Sequence, residues 1–236
     1  MMQSMAQAAR ILLWDFRLQY RYYFWTIALV VGAMWSGVLF ALPEDIISIW
    51  LSMVIFADLS TIGVMFITGI LYLERRQGTI YATAVMPASA GTWLSTKLFS
   101  LSLLCLACVI IIVLFTSNSV NWFRLIPAVV LTAATFASVG FLVAVQFDKL
   151  LNYFFTIALV FIPLNLPALD YFGIFSNEAM WLIPSEAAIW ALAGSFQEME
   201  TSRFLGYLVL LILWLAVTHW LGIRAFRKFI ATRQQL

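Results

Sequence analysis

Charged residues are scarce in this chain, and their scarcity indicates its class. Only 10% of the 236 residues are Asp, Glu, Lys or Arg, whereas 64% are hydrophobic and the mean hydropathy is +0.99. A soluble domain carries roughly 25% charged residues. The composition therefore excludes an ordinary soluble domain and predicts an integral membrane protein.

Residues that usually carry catalysis or bind metals are also few. The chain has one histidine, His219, and two cysteines, Cys105 and Cys108, which lie deep in an apolar run with no nearby histidine or carboxylate in sequence. Cysteines three residues apart on a helix have poor geometry for a disulfide. We interpret them as core residues and His219, which has no evident partner, as structural. Because HExxH, GxSxG and Walker motifs are all missing, we expect no catalytic site, cofactor, metal or nucleic-acid partner in this chain.

Long apolar runs separated by polar turns predict an all-α membrane protein with six spans, because a bilayer requires about 20 apolar residues per helix. In the first span, Gly32 and Ser36, and likewise Ala33 and Gly37, form pairs of small residues that permit close helix packing. The predicted spans are residues 22–42, 47–73, 93–115, 125–147, 153–169 and 204–223.

Residues 1–21 are predicted to form an amphipathic helix ahead of the first span. Arg10, Arg17 and Arg21 recur at helical spacing opposite an apolar face. A basic stripe of this kind favours a position in the plane of an anionic membrane surface. The alternative is that the segment is only the flanking start of the first span.

The distribution of Lys and Arg predicts the orientation of the chain in the membrane. With the N-terminus in the cytoplasm, eleven of the 13 basic residues lie inside, and only Arg124 and Arg203 lie outside. We therefore expect both termini to be cytoplasmic, in an inner or plasma membrane.

Residues 74–90 connect the second and third spans on the predicted cytoplasmic side. Three adjacent charges occupy residues 74–76, and each would cost at least ~2.5–3.5 kcal/mol at the bilayer centre. We therefore expect a surface loop, followed after Gly78 by a short helix that Pro87 ends. Such a helix presents a polar face to a partner.

Residues 170–203 are the long non-spanning stretch on the predicted outer side. Pro184 begins an apolar helical run, residues 187–196, that is too short to span a bilayer. We predict a re-entrant or interfacial helix, with an ordinary hydrophobic lid as the alternative. The carboxylates that make this surface acidic are Glu178, Glu186, Glu198 and Glu200.

Asp58 is the one carboxylate inside a predicted span. An intramembrane acid is a candidate functional group, because burying it is costly. It can bind a cationic group, relay a proton or hydrogen-bond neighbouring helices, with Ser60 and Thr61 beside it. Asp58 and Thr61 are therefore candidate residues of a substrate pathway, and a structural role for Asp58 is the alternative.

Residues 74–79, followed by Met86-Pro87 and then Lys97, resemble the permease subunit of type-2 ABC exporters. The resemblance extends over nearly the whole chain. One departure is Gln77, where those permeases often carry an acidic residue, and it bears on the contact with the ATPase. The segments that are similar to fluoroquinolone-export permeases in particular are residues 14–22, 42–43, 56–58 and 180–185.

The resemblance implies a single permease domain over residues 1–236 that exports a hydrophobic or amphipathic, drug-like or lipid-like substrate. It also implies two permease copies, as a homodimer or related heterodimer, and two separate ATPase subunits that bind ATP and Mg. The ATPase-coupling residues would be Glu74, Arg75, Arg76, Gly78, Thr79, Pro87, Arg10 and Arg17.

Two other functions remain open from the residues alone. The first is a proton-coupled secondary transporter that uses Asp58, although one buried carboxylate is few and the sequence has no evident inverted repeat. The second is a membrane scaffold subunit that transports nothing. An ATPase encoded next to this chain would favour the exporter over both.

Overall fold

The computed structural model describes residues 2–82, 89–116, 119–175 and 177–233. These residues form α-helices and one short 3-10 helix, Glu178–Leu182, and they contain no β-strand. The predicted all-α class is therefore confirmed. The α-helices are α1 (Met2–Arg21), α2 (Phe24–Phe40), α3 (Glu44–Arg76), α4 (Thr79–Ala82), α5 (Ala90–Thr116), α6 (Trp122–Ala144), α7 (Leu150–Asn165), α8 (Pro167–Tyr171), α9 (Pro184–Ala193) and α10 (Thr201–Arg233).

Within the described ranges, five helical segments are long and apolar enough to cross a membrane. They lie in α3, α5, α6, the consecutive helices α7 and α8, and α10. The remaining predicted span corresponds to α2, which has 17 residues and follows α1 at a bend of 64°. If α1 and α2 are counted as one bent span, the total is six. The bend lies at Tyr23, whose φ of 60° is uncommon for a residue other than glycine.

The centre of the bundle is built from α3, α5 and α6, whereas α7 and α10 lie at its edge with most of their apolar side chains exposed. Helices α3 and α6 approach each other very closely. A Cβ atom placed on Gly140 of α6 would lie 2.8 Å from the Cα of Val64 on α3. The absence of a side chain at Gly140 is what permits this contact between backbones.

The bundle has two distinct ends. At one end, α1 meets the last turn of α3 and the first turns of α5. At the other, the Tyr171 hydroxyl donates to the Ile49 carbonyl near the start of α3, at 3.2 Å. There too the backbone N–H of Asn121, ahead of α6, donates to the backbone carbonyl of Ser195, behind α9, at 3.0 Å. We call these the α1 end and the α9 end.

The sequence prediction for residues 74–76 needs a correction. They form the last turn of α3 rather than a surface loop, because the Glu74 carboxylate finds a cationic partner inside the bundle. Gly78 follows with a φ of +72°, which glycine adopts without strain, and α4 begins at the next residue as expected. Residues 83–88, including Pro87, lie outside the described residues.

Helix α9 is the short apolar helix predicted in the outer segment. It begins at Pro184, where a proline fits the first turn because its missing N–H needs no partner there. Nearly all its residues are buried, and it packs against α3, α6 and α10. It therefore lies inside the α9 end of the bundle rather than along its surface.

Candidate functional site

A buried cluster of three charges joins three helices at the α1 end. The Lys97 Nζ of α5 lies 2.8 Å from Asp15 Oδ1 of α1 and 2.6 Å from Glu74 Oε1 of α3. All three side chains are almost completely buried. We call this cluster the charge triad. Because an unpaired buried charge costs several kcal/mol, the three groups hold their helices together as one unit.

The charge triad has two carboxylates for one ammonium group. Lys97 bonds one oxygen of each acid, while Asp15 Oδ2 and Glu74 Oε2 are buried and receive no hydrogen bond from the described residues. The ammonium group therefore offsets the repulsion between the two acids. Removing it would leave two adjacent anions in an apolar setting.

Aromatic and polar contacts extend the charge triad in two directions. On α1, one turn beyond Asp15, the Gln19 amide donates to Ser100 Oγ of α5 at 3.0 Å. On α5, the Lys97 ammonium lies 4.8 Å from the centroid of the Trp93 ring. Trp93 in turn stacks on Phe226 of α10, with ring centroids 4.6 Å apart. The α1 end thus links α1, α3, α5 and α10.

Arg75 also faces inward, and it joins the end of α3 to the end of α6. Its guanidinium donates to the carbonyls of Val145, at 3.0 Å, and Phe147, and it lies 4.3 Å from the centroid of the Phe229 ring. Cationic side chains are favourable at a helix C-terminus, where carbonyls lack intrahelical partners. Tyr72 donates to the same Phe147 carbonyl at 2.8 Å.

The structure divides the predicted coupling residues into two groups. Glu74 is buried in the charge triad, and Arg75 is half-buried with its guanidinium hydrogen-bonded to the end of α6. Pro87 lies outside the described residues. The members exposed at the surface of the α1 end are Arg10, Arg17, Arg76, Gly78 and Thr79.

Sequence reasoning missed the partnership of Asp15 and Lys97, although each carried a signal. Lys97 is a cation within a predicted span, and Asp15 is an acid in an otherwise basic amphipathic helix. Charges in such places usually have partners. This signal alone cannot pair the two residues, because they lie 82 positions apart in the chain and only the fold brings them together.

Asp58 is buried between α2, α3 and α5. The Cys108 Sγ of α5 lies 3.2 Å from Asp58 Oδ2 and 3.2 Å from the Ala28 carbonyl of α2. A carboxylate therefore lies near Cys108 in the fold, although none lies near the two cysteines in sequence. Ser60 donates to the Ala57 carbonyl and Thr61 is exposed, so only Asp58 of the two pathway candidates faces the bundle interior.

His219 does have a partner, contrary to the expectation from sequence. Its Nε2 lies 3.2 Å from Ser95 Oγ, which links α10 to α5 on one wall of an apolar crevice. Among the described residues, no group of three or more His, Cys, Asp or Glu side chains is arranged to hold a metal ion.

Comparison with known proteins yields one consistent result. The model of the Fluoroquinolones export permease protein family matches residues 5–234, a stretch that contains the charge triad, Asp58 and α9. Two curated proteins from two strains of Mycobacterium tuberculosis, each named a fluoroquinolones export permease protein, are 25% identical to this chain over 198 residues. The matched region covers 83% of this chain and 84% of each relative.

Proposed function

Since the chain belongs to the Fluoroquinolones export permease protein family, we propose that it is the membrane-spanning subunit of an ATP-driven exporter of drug-like molecules. The observation that carries this proposal is the family match over residues 5–234 of a multi-pass helical membrane protein. The exported molecule is hydrophobic or amphipathic. Two copies of the permease form the pathway, and two copies of a separate ABC ATPase bind ATP and Mg.

The α1 end is the surface on which the ATPase docks. Arg10 and Arg17 are exposed on α1, and Arg76 is exposed at the end of α3. Together they offer a basic surface to an acidic one on the ATPase, and such complementarity gives specificity to docking. This end faces the cytoplasm of an inner or plasma membrane, in agreement with the distribution of Lys and Arg.

The charge triad transmits movement of the docked ATPase into the membrane. A push on α1 reaches α3 and α5 together, because Lys97 bonds an acid on each neighbouring helix. Helix α3 has 33 residues and so extends ~50 Å at 1.5 Å per residue. A tilt imposed at its α1 end therefore moves its far end, where a substrate would leave.

Co-purification with the ATPase tests this assignment. We expect the double variant Arg10→Glu and Arg17→Glu to recover at least ~10-fold less ATPase, because each substitution replaces an attractive charge with a repulsive one. The control is Arg203→Glu, which changes an exposed arginine at the α9 end. Equal recovery for both variants would remove α1 from the docking surface, and the absence of any ATPase partner would contradict the exporter itself.

Asp58 supports a second candidate function, proton-coupled transport, because it is a carboxylate buried inside a span. Asp58→Asn keeps a side-chain oxygen for the Cys108 contact and removes the charge. If Asp58 meets substrate in the exporter, ATP-dependent export of cationic molecules should fall by ~10-fold, which corresponds to about 1.4 kcal/mol, while neutral ones are unaffected. Transport assays in vesicles with ATP measure this. Equal effects on cationic and neutral molecules would make Asp58 a packing residue. Transport that is driven by a proton gradient without ATP would favour the second candidate function, proton-coupled transport.

A further inference from the structure

An open pocket at the α9 end combines carboxylates with an aromatic side chain. It has a volume of about 510 Å³ and is lined by Asp170, Asn177, Glu178, Trp181 and Glu186. Sites for small molecules commonly enclose ~300–1,000 Å³ and carry a few converging polar groups. The pocket therefore has the size of a small-molecule site, and three of its five lining residues are acids.

Glu186 is the buried member of this set. Its side chain belongs to α9, and the residue is only 3% exposed. Glu186 Oε1 accepts a hydrogen bond from Trp190 Nε1 at 2.7 Å, whereas Oε2 is buried and accepts none from an N–H or hydroxyl group of the described residues. The Glu186 side chain also shares a hydrogen bond with the carboxyl group of Asp170. A buried carboxylate oxygen without a donor is costly. The pocket thus contains two adjacent acids that are kept together by a shared proton, and a cationic ligand can take the place of that proton.

The electrostatics of the pocket favour a positive ligand. Burial raises the pKa of Glu186, the Trp190 hydrogen bond lowers it, and the nearby Asp170 carboxylate raises it again. None of the three carboxylates forms an ion pair with a residue in the described ranges. A bound cation would relieve the repulsion between Asp170 and Glu186.

The aromatic side chains around the pocket favour an organic cation. Trp181 is about half exposed and lies 5.7 Å from Tyr207, measured between ring centroids. Behind Glu186, Trp190 packs edge-on against Tyr171 with ring centroids 5.4 Å apart. Aromatic faces attract ammonium groups, and Trp181 presents such a face among the lining residues of the pocket. No metal-binding arrangement of acids was found among the described residues, which disfavours a divalent ion.

We infer that this pocket binds an organic ammonium group, either a protonated amine or a quaternary amine. Glu186 and Asp170 serve as its counter-ions, and Trp181 covers its apolar side. The ammonium group can belong to a soluble molecule or to a lipid headgroup. A role in holding the cationic part of an exported molecule rests on the proposed function, whereas binding itself does not depend on an ATPase.

The test uses the purified full-length chain in detergent, without ATPase. Choline is titrated and followed by calorimetry and tryptophan fluorescence, with the uncharged carbon isostere of choline as the matched ligand. We expect choline to bind and the isostere to bind at least ~10-fold more weakly, because only choline carries the charge. Absence of choline binding, or equal affinity for both ligands, would overturn the inference.

Variants locate the binding in this pocket. Glu186→Gln should weaken choline binding by at least ~10-fold, and Asp170→Asn, at the less buried side of the pocket, should do the same if Glu186→Gln fails to fold. Glu198→Gln is the control, because Glu198 is an exposed acid of the same outer segment and does not line this pocket. Unchanged affinity in a folded variant of either pocket acid would contradict the proposal.

Lipid nanodiscs separate the two sources of the ammonium group. If a headgroup occupies the pocket, discs of phosphatidylcholine should abolish choline binding, whereas discs of phosphatidylglycerol should preserve it. If the ligand is soluble, choline should bind equally in both. Either result supports an ammonium site. A failure of export with intact choline binding would contradict only the proposed function.

Discussion

Replacing Lys97 with methionine is expected to destabilise the purified chain by about 3–5 kcal/mol, which corresponds to a fall of roughly 10 °C in Tm. Methionine fills a similar volume, so the effect comes from charge rather than from a cavity. In the variant, Asp15 and Glu74 lose the ammonium group that lies 2.8 Å and 2.6 Å from their oxygens. Thermal unfolding in detergent, followed by tryptophan fluorescence, measures the change.

A triple variant separates the ion pair from the packing of this region. Lys97→Met combined with Asp15→Asn and Glu74→Gln removes all three charges while the side-chain volumes stay similar. Replacing a complete buried ion cluster is often neutral for stability, whereas breaking one is costly. We therefore expect the triple variant to recover most of the Tm that the single variant loses.

The control for charge removal as such is Lys149→Met, because Lys149 is exposed ahead of α7. Its Tm should change by less than ~2 °C, as is typical of surface substitutions. If Lys97→Met behaved like Lys149→Met, the three helices would not depend on the charge triad. The mechanism of transmission from the α1 end would then lose its physical basis.

The positions of the helices could be predicted from sequence because the membrane imposes a simple rule. A span must be long, apolar and helical, since backbone groups find no water in hydrocarbon. The predicted span 93–115 lies within α5, Ala90–Thr116, whereas α3 continues to Arg76, beyond the predicted end of the second span at residue 73. The positions of the spanning helices follow from the apolar runs in the sequence, and contacts between helices are not needed to predict them.

The contacts between helices could not be predicted in the same way. In a soluble protein the apolar face of a helix marks its core, but a spanning helix is apolar both where it meets lipid and where it meets protein. The pairing of Asp58 with Cys108 joins residues 50 positions apart, and local sequence gave no reason for it. Of the four glutamates of the outer segment, Glu178 and Glu186 line one pocket together with Asp170, and this convergence depends on where α9 packs.

Small residues illustrate the same limit. The sequence analysis selected two pairs of small residues in the first span. In the first pair, Gly32 does lie close to α5, because an added Cβ atom would be 3.0 Å from Cys108 Sγ. In the second pair, a Cβ atom at Gly37 would meet nothing within 4 Å. Among the glycines, the shortest such distance to a neighbouring backbone is at Gly140, a position that the sequence analysis did not select. Spacing can indicate that a helix is able to pack closely, but the partner that approaches is decided by the whole bundle.

The contrast between Gly37 and Gly140 allows a test of the contact between α3 and α6. Gly140→Ala would place a Cβ atom 2.8 Å from the Val64 Cα and 3.0 Å from the Val64 carbonyl oxygen. Both are backbone atoms, so they cannot move aside without displacing α3 from α6. Overpacking of this kind typically costs ~1–3 kcal/mol, and we expect the Tm to fall by roughly 5 °C.

Gly37→Ala is the matched control, because both glycines are helical and both substitutions add one methyl group. In α2 the added methyl group enters open space, and alanine favours a helix over glycine by about 1 kcal/mol. The Tm of Gly37→Ala should therefore stay constant or rise while that of Gly140→Ala falls. If both fell equally, the loss would arise from something other than the contact between α3 and α6. The contact joins α3, which carries Glu74 and Asp58, to α6. In the proposed mechanism, close packing at this contact makes the two helices tilt together.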